Sequence, residues 1–146
     1  MELLEWIQED KLNFKSLSSN PNAIQLLEKN IDKIYWKTLC LNPSEKAIEL
    51  LSNNIDKINW GYLCLNPSEK AIDLLSNNID KINWKNLSVN KSAIHILKEH
   101  KDKIDWEYIS TNPSIFKKDE TEYPTYVYIF LYIVIPIYSI LIFLNE

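Results

Sequence analysis

Apolar positions between residues 20 and 111 follow a phrase that recurs along the chain. Ala-Ile-x-Leu-Leu, or a close variant, precedes Asn or Asp, Lys, Ile and an aromatic residue, with Leu or Ile three positions after the aromatic. In the copy that begins at Asn42, residues Ala47, Ile48, Leu51 and Ile55 take the i, i+1, i+4, i+8 places of a helical stripe. Trp60 and Leu63 form a second, shorter apolar face. The spacing predicts two helices per copy: a longer one of about three turns, and a short one from Trp60 to about Cys64 with Trp60 and Leu63 facing inward.

The polar residues between these stripes punctuate the helices. Asn42-Pro43-Ser44-Glu45 reads as a helix start, with Asn as the cap, Pro in the first turn and Glu facing the positive end of the dipole. Asn53-Asn54 reads as its stop, in the left-handed conformation that Asn tolerates. Asn59 precedes Trp60, and the equivalent places hold Asn13, Tyr35, Asn83 and Asp105, so four of these five can cap a short helix. The next Asn-Pro ends that helix and starts the following copy.

Full copies run Asn20 to Leu41, Asn42 to Leu65, Asn66 to Val89 and Asn90 to Thr111, with periods of 22, 24, 24 and 22 residues. Periods of this size belong to stacked supersecondary units. Both short copies lack two residues in the first turn of the longer helix, where a deletion leaves the stripe intact. A partial unit, Asp10 to Leu17, carries Phe14 in the Trp place, and residues 1–9 read as an atypical first helix that buries Leu3, Leu4 and Ile7. The phrase restarts at Asn112-Pro113-Ser114-Ile115-Phe116 and then dissolves. The expected fold is all-α, a solenoid of about five short helical hairpins over residues 1–116. A leucine-rich repeat also allows a 24-residue period, and Leu63-Cys64-Leu65-Asn66 resembles part of its motif. Its Asn would arrive too early, however, and the helical stripe is too long.

Composition narrows the function classes. A net charge of -4, with acids and bases interspersed, gives no reason to expect nucleic acid as a partner. Glycine occurs once, at Gly61, so a glycine-rich phosphate loop cannot be built. Cys40 and Cys64 hold the same position in successive copies, and stacked helices lie roughly 8 to 10 Å apart, too far for a disulfide. They are expected to be reduced, half-buried packing residues. Residues Met1 to Trp6 do not read as a signal peptide.

The wording of the repeat, with Asn-Pro, Ala-Ile-x-Leu-Leu, Asp-Lys-Ile-Asn-Trp, Leu-Ser or Leu-Cys, and a closing Asn-Pro-Ser-Ile-Phe, resembles the short repeats of uncharacterised proteins encoded by giant DNA viruses of the mimivirus type. The resemblance covers roughly residues 10–116. It implies a helical repeat and a viral origin, and it brings no catalytic residues with it. After Phe116 the chain departs from that pattern, since such proteins continue with charged, helix-forming residues.

Residues 117–123 form a polar linker, and residues 124–146 are almost wholly apolar. From Tyr126 to Leu144 there is no charged side chain, and about 20 helical residues span a hydrocarbon core of roughly 30 Å. Pro136 would kink such a helix, which lipid-embedded helices tolerate. Tyr123, Tyr126 and Tyr128 suit an interfacial belt, and Lys117 and Lys118 favour repeats on the cytosolic side. The expectation is a single-pass tail anchor in a host-cell membrane. The alternatives are a cytoplasmic protein whose apolar segment closes the solenoid, and a segment read in a shifted frame.

Candidate chemistry is sparse. His95 and His100 are five apart, which is not the spacing of a metal pair on one helix face. Asp32-Lys33, Asp56-Lys57, Asp80-Lys81 and Asp102-Lys103 recur in every copy, as turn signals and solvated charges would. Trp36, Trp60, Trp84 and Trp106 occupy one repeat position, which favours packing over a base-stacking platform. These residues imply no enzyme, cofactor, metal or small-molecule substrate. Variation between copies concentrates inside the Trp-x-x-Leu segment, at Lys37 and Thr38, Gly61 and Tyr62, Lys85 and Asn86, Glu107 and Tyr108. In repeat proteins a solvent-facing row of this kind is a recognition surface. A protein partner is therefore expected at Lys37, Thr38, Tyr62, Lys85, Asn86, Glu107 and Tyr108, and drift without any contact is the competing reading.

Overall fold

In the computed structural model, residues 2–117, 132 and 133 are described. The chain divides into two units, Met1–Ile115 and Phe116–Glu146. The regular elements among the described residues are all helical, with no strand. Five short helices, α1 (Phe14–Ser18), α3 (Trp36–Leu39), α5 (Trp60–Leu63), α7 (Trp84–Ser88) and α9 (Trp106–Ile109), alternate with four longer ones, α2 (Ile24–Lys29), α4 (Glu45–Ser52), α6 (Glu69–Ser76) and α8 (Ile94–Glu99). The longest has eight residues, well below the roughly 12 to 15 at which an isolated helix holds in water. Packing between copies must therefore supply the stability.

One core runs through the first unit, and each copy adds the same residues to it. Leu27, Leu51, Leu75 and Leu97 come from the longer helices, Leu39, Leu63, Leu87 and Ile109 from the short ones, and Ile34, Ile58 and Ile82 from the turns between them. In the 24-residue copies, Ala47, Ile48 and Leu51 are buried as the stripe requires. Ile55 is 46% exposed. It opens a separate 3-10 turn, Ile55–Lys57, so the 3.6-residue phase of α4 does not reach it.

The expected cap of the longer helix is displaced by two residues. Ser44, not Asn42, caps α4, its hydroxyl accepting the Ala47 N–H, and Ser68 does the same for α6. Asn42 and Asn66 accept the N–H of those serines and turn their amides into the interior. In the 22-residue copies a 3-10 turn, Pro21–Ala23 or Lys91–Ala93, takes the place of the capped first turn. The expected left-handed stop is absent as well: among the described residues none has a positive φ. Asn54 instead sits at φ -136°, ψ 54° and folds its amide back onto the Leu50 carbonyl, as Asn78 does onto Leu74. A side-chain donor satisfies the helix end without the backbone reversal.

Caps of the short helices fall where the sequence puts them. Asn13, Asn59, Asn83 and Asp105 each accept the N–H three residues on, and Tyr35 does not. Two other expectations fail. Residues 2–8 form no helix, with Leu3, Leu4 and Trp6 exposed and Ile7 half-buried, because this segment has neither a capping residue nor an asparagine to tie it to another copy. Cys40 and Cys64 are fully buried free thiols, not half-buried ones.

No helix among the described residues is long and apolar enough to cross a membrane. The linker beyond Lys117 and the apolar segment containing Tyr126, Pro136 and Leu144 lie outside the described residues.

Candidate interaction surface

A line of buried asparagines joins each copy to the one before it. Asn42 Nδ2 donates to the carbonyl oxygens of Ser18 and Asn20, both at 3.0 Å. Asn66 repeats this on Cys40 and Asn42 at 2.9 Å, and Asn90 on Cys64 and Asn66 at 2.8 Å. Asn112 closes the series on Ser88 at 2.9 Å and Asn90 at 3.1 Å. Each of these side chains also accepts the N–H two residues on, so both ends of the amide are engaged. That matters because a buried amide left without a partner costs about 1 to 3 kcal/mol. Among the described residues no buried side-chain nitrogen or oxygen lacks a partner.

A second tie runs beside the first. Ser18 and Ser88 accept the backbone N–H of Tyr35 and Asp105, each the residue before the next copy's tryptophan. Cys40 and Cys64 hold the same repeat position, and their thiols take the N–H of Asn59 and Asn83. Burial pushes both thiols up from 9.0, Cys64 to about 11, against the lowering effect of those N–H donors. Neither thiol is a nucleophile near neutral pH.

These ties fix the register of the short helices and therefore the row of variable residues they carry. Lys37, Lys85 and Glu107 are exposed, while Thr38, Tyr62, Asn86 and Tyr108 are half-buried. The row is braced from copy to copy. The Lys37 ammonium lies 4.6 Å from the Tyr62 ring centre and the Lys85 ammonium 4.2 Å from that of Tyr108. Asn86 Nδ2 donates to the Gly61 carbonyl at 2.9 Å. The Tyr108 hydroxyl, followed by the charges of Asp105 and Glu107, raises the Lys85 pKa above its usual range. Three junctions thus connect all seven positions except Thr38 and Glu107. Copy-to-copy variation anticipated the exposure of Lys37, Lys85 and Glu107 but neither the half-burial of Thr38, Tyr62, Asn86 and Tyr108 nor the bracing; the one available hint was that Lys in one copy is answered by Tyr in the next.

The tryptophans are not core residues. Trp36, Trp60 and Trp84 are half-buried against the core, while Trp106 is 71% exposed. Trp84 meets His100 of the following copy, ring centres 5.2 Å apart, and Phe14, in the same repeat position, lies under the Lys33 ammonium of its following copy. These rings lie along the copy-to-copy boundary, and Trp106 has no following copy among the described residues.

Other candidate groups are placed as solvated features. Asp56, Asp80 and Asp102 each pair with the adjacent lysine at the exposed surface. His95 is exposed. Lys70 bridges Glu45 and Glu49 of the preceding copy at 3.2 and 2.8 Å, and the Lys70 ammonium lowers the Glu49 pKa. Among the described residues, no group of three or more His, Cys, Asp or Glu side chains is arranged to hold a metal ion. The chain matches no protein-family model, no curated protein and no solved structure.

Proposed function

We propose that the repeats form one solenoid that serves as a non-enzymatic protein–protein interaction module, with the short-helix row as its contact surface. The observation that carries this reading is the bracing of the row. Lysine and tyrosine side chains held by cation–π contacts have already lost much of the rotamer freedom that binding would otherwise remove, and such preorganisation raises affinity. Exposed Lys37, Lys85 and Glu107 supply charge, and half-buried Tyr62 and Tyr108 supply the aromatic area that interfaces favour. The resemblance to giant-virus repeat proteins supports a viral origin. The charge-free run from Tyr126 to Leu144 supports tethering to a host-cell membrane by a tail anchor, with the repeats in the cytosol.

The second reading is a structural or dispensable member of an expanded repeat family, without a specific partner. The same contacts favour it, because Lys37–Tyr62, Asn86–Gly61 and Lys85–Tyr108 all connect neighbouring copies and could serve stacking alone. Replacing Lys37, Tyr62, Lys85 and Tyr108 together with Ala separates the two. The module reading expects a proximity-labelled partner from infected cells to vanish while helicity by circular dichroism persists. A capture profile indistinguishable from that of the unaltered protein removes the row as a binding surface.

A further inference from the structure

Among the described residues the asparagine ladder is unfinished at both ends of the repeat array, and the two unfinished ends are complementary. An internal rung both gives and receives: the Asn66 amide goes to the preceding copy, and its carbonyl receives the amide of Asn90. At the first rung the Asn20 carbonyl receives the Asn42 amide, and Asn20 Oδ1 takes the Asn22 N–H. Asn20 is exposed, and its amide has no acceptor among the described residues. At the last rung Asn112 is buried and donates backwards to Ser88 and Asn90. The register of the series assigns the next amide to the carbonyls of Ser110 and Asn112, and no side-chain amide among the described residues reaches them.

Apolar surface accompanies both ends. Beside Asn20 is a cleft of about 370 Å³ lined in part by Leu3, Leu17, Ala23 and Leu26. At the other end Ile115 is 43% exposed and Trp106 71% exposed. Within the array the matching pieces meet, since the Lys91–Ala93 turn packs on Pro113–Ile115 and the ring in the Trp106 position faces the following copy's turn.

We propose that the chain associates head to tail with a second copy of itself, the Asn20 amide of one copy donating to the Ser110 and Asn112 carbonyl oxygens of the other. The junction continues the internal geometry, with α1 of one chain stacking on α9 of the other as α9 itself stacks on α7. Such a contact uses different surfaces on the two copies, so it propagates into a filament or ring and does not close as a two-fold dimer. Residues 2–8 have to move out of the cleft. They are lightly held, with Ile7 N–H to the Leu4 carbonyl as the backbone bond within them.

The test uses full-length chain in mild detergent. Asn20→Asp keeps the oxygen that accepts the Asn22 N–H but removes the donor and places a carboxylate against two carbonyls. In the array the second residue of one short helix meets the third of the next, as Lys37 meets Tyr62, so across the junction Glu107 of one copy meets Ser16 of the other. Both are exposed, and the native thiols are buried. A chain carrying S16C, mixed with a chain carrying E107C and a short bis-maleimide, should yield a crosslinked heterodimer, whereas S16C alone should not. Adding N20D to the S16C chain should cut the yield by about tenfold or more, the scale of a lost pair of buried hydrogen bonds. No crosslink at concentrations up to the solubility limit, or a yield indifferent to N20D, overturns the proposal.

Discussion

Asn66 Nδ2 lies 2.9 Å from the carbonyl oxygen of Asn42, the same repeat position one copy earlier. The residue that begins each phrase is thus a tie between copies, because its amide reaches back while its Oδ1 starts the next turn. Leucines from both helix types fill the space beside it, so each copy is fixed to its neighbour by a buried apolar core and a directional bond together.

The buried thiols make stability fall at alkaline pH. Desolvation raises Cys64 from 9.0 to about 11, so the folded state holds this proton more tightly than the unfolded chain does. The contribution is complete below pH 9 and is lost as pH rises through about 11. A rise from 9.0 to about 11 corresponds to about 2 to 3 kcal/mol. Ser88 shows that a hydroxyl fits this position and can accept the equivalent N–H, so Cys64→Ser should fold and should flatten the loss of stability between pH 9 and 11 relative to the parent. Chemical denaturation at several pH values measures this, and parallel pH profiles for the two proteins would be the contrary result.

Leu63 and Trp60 are neighbours on one short helix with unequal burial, Leu63 at 0% exposure and Trp60 half-buried. Leu63→Ala should cost about 3 to 5 kcal/mol, as a large-to-small change in a packed core does. Trp60→Ala should cost about 1 to 3 kcal/mol, because part of its ring stays in water in the folded state. Thermal denaturation with Trp60→Ala as the more damaging change would place the tryptophans in the core.

Much of this arrangement is legible in the residues. Ala47, Ile48, Leu51 and Leu63 sit on a simple helical period, and Asn13, Asn59, Asn83 and Asp105 cap as their position before an aromatic suggests, with Tyr35 as the exception. Local chemistry determines all of these. Asn42 defeats a local reading, because Asn before Pro looks the same whether its amide caps its own helix or crosses to a carbonyl 24 residues away. Ile55 misleads for a different reason, since a 3-10 turn resets the phase that the stripe assumes. The exposure of Lys37, Lys85 and Glu107 follows from their variation, whereas the Lys85–Tyr108 contact depends on stacking that no single copy encodes.

The membrane proposal concerns residues 124–146 and has its own outcome. Full-length protein should resist carbonate extraction, and protease added to sealed membranes should digest the repeats. Release by carbonate would return the chain to the cytoplasmic alternative.

The central claim, that buried asparagines hold the copies together, is tested most directly by comparing Asn66→Ala with Asn20→Ala in one thermal denaturation series. Asn66 is fully buried and ties two carbonyls of the preceding copy, so its loss strands those acceptors and the Ser68 N–H, and should cost about 2 to 4 kcal/mol. Asn20 has the same sequence context but is exposed, and its amide ties no carbonyl among the described residues, so its loss should cost about 1 kcal/mol or less. Equal losses at the two positions would mean that these asparagines act only as local turn residues, and the ladder would not be what holds the repeats together.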